Sequence, residues 1–265
     1  MYAFEYQKAK SIDEAAKIIA KDSDAKVLAG GQSLIAAMKL RLSKPSDVVD
    51  LGSIKGLSGI KADGKAVTIG AMTRHAEVAA SSDVKKAIPA LAALAGGIGD
   101  RMVRNMGTIG GSLANNDPAA DYPAGALALG ATIVTNKRKI AADDFFKGMY
   151  ETALGKGEII EQVSFPIPKR AAYMKFKNPA SRYAIVGVFV ADFGSNVRVA
   201  VTGAAPSVFR LAAMEKALGS KFAPESVANI SVPEKGLNSD LHAKADYRAH
   251  LITVMARRAV EAAVK

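Results

Sequence analysis

The run Thr108-Ile109-Gly110-Gly111-Ser112-Leu113-Ala114-Asn115-Asn116-Asp117-Pro118-Ala119-Ala120-Asp121-Tyr122-Pro123 opens on two β-branched residues, pairs two glycines, and continues through small polar residues to a proline. Such a run makes a poor helix and a poor continuous strand, so its backbone is expected to serve something other than regular pairing. Paired glycines let main-chain N–H groups approach an anion unobstructed, Ser112 and Asn115 add short donors, and Asp121 can accept from sugar hydroxyls. Met alone, the same residues are ordinary turn chemistry. A second stretch changes the balance: Val27-Leu28-Ala29-Gly30-Gly31-Gln32-Ser33-Leu34 again ends an apolar run in two glycines and a hydroxyl. Two such segments in one chain can grip a pyrophosphate from two sides, which points to a nucleotide cofactor.

Neither segment is one of the common phosphate loops. Gln32-Ser33 lacks the lysine of a P-loop, and Gly30-Gly31 and Gly97-Ile98-Gly99 both fail the three-glycine dinucleotide fingerprint. Around them the chain reads as mixed short elements. Ser11 and Glu14 fit a capping box for a helix carrying Ile12, Ala15, Ala16 and Ile19 at helical spacing. Lys26 to Ala29 reads as a strand running into the glycines, with a helix from Ser33 to Leu40. Val48 to Leu51 reads as a strand, and Ile60 to Ala62 and Lys65 to Ile69 flank Asp63-Gly64 as a hairpin. Helices are expected at Arg74 to Ala80 and Ala90 to Ala95, and Leu127 to Thr135 reads as a return to sheet. Glu158 to Phe165 is a strand ending at Pro166, and Pro166 to Arg170 is linker-like. Beyond it, Ala184 to Val190 and Val197 to Val201 flank Gly194-Ser195-Asn196 as an antiparallel pair, and Tyr247, Leu251, Val254 and Met255 mark a terminal helix. Short elements without regular strand–helix alternation argue α+β.

Composition removes several function classes. Cysteine is absent, so disulfides, thiolate catalysis and cysteine-ligated clusters are excluded from this chain. His75, His242 and His250 are scattered without metal-site spacing. A net charge of +11 raises the possibility of nucleic-acid binding, but the basic residues are dispersed and few aromatics interleave with them. Lys137-Arg138-Lys139, the densest run, reads as a hairpin turn. Arg101 and Arg104, just before the second glycine pair, read as surface or interface residues. No apolar run approaches the ~20 residues of a membrane span and no signal peptide opens the chain, which places it in the cytoplasm. No nucleophilic or acid–base set stands out, so a bound cofactor would carry the chemistry.

The two stretches LAGGQSL and TIGGSLANNDPAADYPA resemble the flavin loops of the FAD-binding medium subunits of molybdenum hydroxylases, the carbon monoxide dehydrogenase and xanthine dehydrogenase group. The resemblance extends to FEYQKAKSIDEAAKIIA, DFFKGMYETAL, GEIIEQVSFPIP and DYRAHLITVMARRAV, and so spans nearly the whole chain. It implies an α+β protein. A two-part FAD-binding region of the vanillyl-alcohol-oxidase (PCMH) type, residues 1–54 and 55–167, would precede a small C-terminal α+β domain with an antiparallel sheet, residues 168–265.

The implied function is electron transfer. FAD would take electrons from two-iron-two-sulfur clusters on a small subunit, beside a large molybdenum-cofactor subunit, and pass them to an external acceptor. The assembly would be a dimer of heterotrimers, without nucleic acid or a membrane span. A stand-alone FAD-dependent oxidoreductase is the alternative, and a basic nucleic-acid-binding protein a weaker one. Carried over by position, Leu28, Ala29, Gly30, Gly31, Gln32, Ser33 and Leu34, with Thr108, Ile109, Gly110, Gly111 and Ser112, would line the pyrophosphate and adjoining sugar, mainly through main-chain N–H. Asn115, Asp117 and Asp121 would meet cofactor polar groups, and Ile160 would make an apolar contact by the nucleotide. Lys177 would set a positive charge near the flavin ring and Tyr183 would cover one ring face. Asn115-Asn116 departs from relatives that carry histidine or another residue in that span.

Overall fold

The computed structural model describes residues 1–265. Its first segment holds β1 (Glu5–Lys8), α1 (Ile12–Lys21), β2 (Lys26–Leu28), α2 (Leu34–Lys39) and β3 (Asp47–Asp50). The three strands form a parallel sheet in the order β1-β3-β2. Ser11 caps α1 by accepting from the Glu14 N–H at 3.1 Å, while the Glu14 carboxylate reaches back to the Lys10 N–H, one residue beyond the expected box partner. Ala9, Ala15, Val49, Leu51, Leu57 and Ile159 close a small core under this sheet.

The middle segment follows with β4 (Ile60–Ala62), β5 (Ala66–Gly70), α3 (His75–Ala80), α4 (Ser82–Ala87), α5 (Pro89–Gly96), α6 (Arg101–Met106), α7 (Ile109–Asn115) and α8 (Tyr122–Ala128). After these come β6 (Thr132–Thr135), β7 (Lys139–Ala141), α9 (Ala142–Phe145), β8 (Phe146–Gly148), β9 (Glu151–Thr152) and β10 (Ile160–Pro166). Five of these strands make an antiparallel sheet in the order β4-β5-β10-β6-β7, with Val163 of β10 opposite both Ile69 and Ile133. All three of those side chains are fully buried. Asp63 closes the first hairpin by accepting from the N–H groups of Lys65 and Ala66 at 2.9 and 2.8 Å, the Asx geometry its sequence signals.

The last segment comprises β11 (Arg170–Lys177), β12 (Ala184–Asp192), β13 (Val197–Thr202), β14 (Phe209–Arg210), α10 (Ala212–Ser220), α11 (Glu225–Ala228) and α12 (Ala245–Val264). Its antiparallel sheet runs β11-β12-β13-β14. Every residue of β12 is buried, which explains why Ala184 to Ala191 is apolar or glycine throughout instead of alternating. Phe189, Ala191 and Ala200 belong to the same core as α5 and α8, whereas Val188, Val190, Val199 and Val201 pack with Leu251, Ile252 and Met255 of α12. The C-terminal sheet thus lies between two helical layers. Arg248 of α12, 3% exposed, pins it by donating to the carbonyls of Ile185 and Gly203 at 2.6 and 2.9 Å and to Asp240 at 2.7 Å.

Two expectations need correction. The run after Thr108 is helical: Thr108 caps α7 through its hydroxyl to the Gly111 N–H at 3.2 Å, and Asn116 ends it in the left-handed region at φ 43°. Packing overrides glycine's poor propensity here, because a Cβ on Gly110 would stand 2.6 Å from the Ala71 Cβ and 2.8 Å from its carbonyl oxygen. Leu127 and Ala128 end helix α8 and are not strand; α8 is buried along its whole length, so it shows no period by which an apolar helix and a buried strand are told apart. No helix is long and apolar enough to cross a membrane.

Candidate cofactor site

The two glycine segments, about eighty residues apart in sequence, meet in space. Gly30 lies flush on the backbone of Met106 and Gly107, so close that a Cβ there would overlap the Met106 carbonyl oxygen and stand 2.7 Å from the Gly107 Cα. A Cβ on Gly111 would stand 2.9 Å from the Thr108 hydroxyl and 3.6 Å from the Ala29 Cβ. Glycine at both positions is therefore what allows the segments to close on each other.

Their backbones are used differently. From Ala29 to Ser33, five consecutive main-chain N–H groups donate to no acceptor in the chain, and Gly31 sits at φ 72°, opening the turn. Gly30 and Gly31 are half-buried, and Gln32 and Ser33 are exposed at the rim. In the second segment the Ile109 N–H donates to Thr73 at 3.1 Å, the Gly110 N–H to Ala71 at 2.8 Å and the Gly111 N–H to Thr108. That segment offers a bare glycine surface and the half-buried side chains of Ser112 and Asn115, not main-chain donors. A row of N–H groups without acceptors beside a glycine surface is an environment that suits an anionic pyrophosphate. The residues present fit FAD.

α7 is seven residues long, roughly 10 Å, and leads from this cradle to Asp117. Asp117 accepts from the Ala119 N–H at 2.9 Å and from the Tyr150 hydroxyl at 3.2 Å. Tyr183 stands beside it, 44% exposed overall; burial of its phenol, then the nearby Asp117, Tyr150 and Asp121, push its pKa up to about 12. These residues border a cleft of about 320 Å³ that also takes in Asn178, His242 and Arg248. A second cleft of about 290 Å³, lined by Gly99, Asp100, Val103, Ala180, Ser181 and Arg182, lies on the other flank of the 178–183 segment.

The other sequence candidates fall elsewhere. Leu28 ends β2 and Leu34 opens α2, both half-buried. Ile160 is buried in the core with Ile109 and Leu113, beneath α7. Lys177 is exposed at the end of β11, where a register shift after Phe176 separates it from the regular ladder. Asp121 is 4% exposed and both its carboxylate oxygens are taken within the chain, by Lys175 Nζ at 2.9 and 3.1 Å and by the Tyr173 hydroxyl. Burial pushes its carboxyl above the usual range while Lys175 and Tyr173 pull against that rise.

Three residues that the sequence does not mark as cofactor contacts belong to the neighbourhood. Lys175 differs from Lys177 in sequence only by position in an alternating strand, and only the register makes it the buried one. Asn116 donates from its amide to the carbonyls of Gly148 and Glu151, both at 2.8 Å, tying α7 to the β8–β9 hairpin that carries Tyr150. Arg104 is not free for an anion, since its guanidinium donates to Ile98 and Gly99 at 2.8 and 3.1 Å.

His75 supports the cradle from below. Its main-chain N–H donates to the Gly107 carbonyl at 2.9 Å, its ring packs 5.3 Å from that of Tyr122, and its Nδ1 and the Tyr122 hydroxyl are buried without partners. Burial, with the Arg104 charge adding to it, pulls the His75 pKa down to about 4. The unfolded chain binds that proton near pH 6.5, so this contribution to stability is full above 6.5 and is lost as pH falls toward 4. Melting curves from pH 7 to 4.5 should show the loss begin before carboxylates titrate, and His75→Gln should flatten that leg; an unchanged profile would remove His75 as its source.

Comparisons with known proteins show the family and the fold. Residues 2–168 match the family described as the FAD binding domain in molybdopterin dehydrogenase, and residues 171–263 match the CO dehydrogenase flavoprotein C-terminal domain. The chain is 38% identical to the nicotine 6-hydroxylase medium subunit of Paenarthrobacter nicotinovorans, covering 97% of this chain and 96% of that protein. It is 36% identical to the carbon monoxide dehydrogenase medium chain of Hydrogenophaga pseudoflava, covering 98% and 96%. A solved carbon monoxide dehydrogenase from Hydrogenophaga pseudoflava superposes with a TM-score of 0.89 at 36% identity, over 99% of this chain and 98% of that one. Quinoline 2-oxidoreductase from Pseudomonas putida 86 superposes with a TM-score of 0.89 at 30% identity, over 99% and 97%. The names "medium subunit" and "medium chain" mark these relatives as parts of larger enzymes, which goes against a stand-alone flavoprotein. With two glycine segments closed into one cradle and both family matches spanning the chain, the protein belongs to the FAD-binding medium subunits of molybdenum hydroxylases, as the FAD-carrying oxidoreductase subunit.

Proposed function

We propose that the chain holds the FAD pyrophosphate on the main-chain N–H groups of Ala29 to Ser33, against Gly111 and the side chains of Ser112 and Asn115, with the flavin ring toward Tyr183 and Asp117. The observation that carries this reading is the row of five N–H groups without an acceptor. FAD supplies the redox chemistry, accepting electrons singly and releasing them singly or in pairs. The chain's own residues bind and orient it. Ile160 supports α7 from the core, Thr108, Ile109 and Gly110 hold the second wall in place through their internal hydrogen bonds, and Leu28, Gln32 and Leu34 frame the first. Lys177 is proposed as a positive charge at the rim, and Asp121 acts through Lys175 and Tyr173 instead of on a sugar hydroxyl.

In the assembled enzyme, electrons would arrive from two-iron-two-sulfur clusters on a small subunit, beside a large subunit carrying the molybdenum cofactor, and leave to an external acceptor. Relatives named as a medium chain and as a subunit of a dehydrogenase complex support such partners. A dimer of heterotrimers in the cytoplasm is the proposed setting. The proposed units are residues 1–54, 55–167 and 168–265, each closing a sheet of its own.

The purified chain, alone or co-expressed with its partners, is expected to show flavin absorption bands and to release one FAD per chain on denaturation. Colourless protein that takes up no FAD in either preparation would overturn the reading.

A further inference from the structure

Lys175 is the lysine the fold buries, and its ammonium bonds to three different parts of the fold. Its side chain is 8% exposed. From β11 the ammonium reaches Asp121 at the start of α8, the Gly97 carbonyl after α5 at 2.8 Å, and the Arg182 carbonyl at 3.0 Å. Arg182 is strained into the left-handed region at φ 63°, and its guanidinium reaches back to the Gly99 carbonyl at 3.4 Å. With Arg104 on Ile98 and Gly99, cationic donors satisfy each successive carbonyl of the Gly97–Gly99 turn. Asp121 is steadied in turn by the Tyr173 hydroxyl, whose ring lies over Gly187 of the neighbouring strand, where a Cβ would leave no room for it.

The segment held this way is the one that carries Tyr183. Between Asn178 and Tyr183 the chain closes on itself through Asn178 N–H to Tyr183 at 2.8 Å and Arg182 N–H to Asn178 at 2.9 Å, with the Asn178 side chain accepting from Ala180 and Ser181. This small closed unit separates the two clefts and is anchored to the rest of the fold through Lys175 and Arg182. A buried ion pair is a costly way to gain stability, because desolvation offsets most of the attraction; its best-attested use is to select one arrangement over others.

We propose that Lys175 is a positioning residue for the flavin: its ammonium fixes the 178–183 segment and the Gly97–Gly99 turn at one spacing across the mouth of the site. The proposal rests on the flavin placement given above. Its consequence is that losing Lys175 disturbs the cofactor's surroundings locally while the sheets stay intact.

The test uses the full chain and two variants, Lys175→Met and the pair Lys175→Met with Asp121→Asn. The pair leaves no unmatched buried charge and keeps an acceptor for Tyr173, so it separates positioning from charge balance. Hydrogen–deuterium exchange and FAD titration by flavin fluorescence are read together. Expected for the pair are cooperative melting, at least tenfold faster exchange in residues 97–100 and 178–183, unchanged exchange in β12 and β13, and at least tenfold weaker FAD binding. Exchange at the wild-type rate in both segments would overturn the proposal. Faster exchange with wild-type FAD affinity would overturn its link to the flavin. If the wild-type chain itself binds no FAD, the cofactor reading fails, and exchange alone then decides whether Lys175 positions the segments.

Discussion

Replacing Gly30 by alanine is expected to give a chain that folds but retains no flavin. The added Cβ meets only backbone: the Met106 carbonyl oxygen, the Gly107 Cα at 2.7 Å and the Met106 carbonyl carbon at 2.8 Å. No side chain can swing aside to relieve this. Gly107 cannot retreat either, since its N–H donates to Val103 at 2.7 Å, its carbonyl accepts from His75, and a Cβ on its other side would stand 2.6 Å from the His75 ring. The 29–33 segment must lift away and take its N–H row with it. Loss of several charge-assisted hydrogen bonds, each about 1.5–3 kcal/mol, corresponds to at least a hundredfold weaker binding. FAD titration of the variant checks this, with Gly219→Ala as control. Gly219 lies in a helix with nothing near its absent Cβ, and alanine there should stabilise by about 0.5–1 kcal/mol. Wild-type affinity in Gly30→Ala would remove the first glycine segment from the site.

Asp121→Ala is expected to destabilise the fold by about 3–5 kcal/mol, the usual cost of leaving one member of a buried ion pair without its partner. The Lys175 ammonium would remain buried with two carbonyls for company, and the Tyr173 hydroxyl would lose its acceptor. A urea titration gives the change directly. Adding Lys175→Met to Asp121→Ala should recover most of it, because the orphaned charge goes too. A loss below about 1 kcal/mol in Asp121→Ala would mean that solvent reaches the pair. The sequence reading gave this aspartate a sugar hydroxyl as partner. In the structure both carboxylate oxygens are bonded within the chain, to Lys175 and Tyr173, so we propose that its effect on FAD runs through Lys175 and the segment beyond.

Other differences between sequence and structure have similarly local causes. Thr108 and Gly111 were legible as special, but not as the cap and first turn of a helix, because what requires glycine at 110 is the close approach of Ala71, thirty-nine positions away. Lys175 and Lys177 are indistinguishable in a list of residues. A register shift after Phe176 and the approach of α8 bury one and expose the other.

From sequence alone came the α+β class, the strand pair around Gly194-Ser195-Asn196, the hairpin at Asp63-Gly64, the lack of any thiol chemistry, and the two glycine stretches with the family they resemble. All of these depend on neighbours a few residues apart, where φ preference, side-chain period and residue type act directly. Only the tertiary structure decided which backbone N–H groups stay free, that Gly30 rests on Met106 and Gly107, that Asp121 is spent on Lys175, and that Arg104 faces carbonyls. Each of those depends on contacts between distant segments, where a hydrogen-bond partner is settled by what the packed fold brings within about 3 Å.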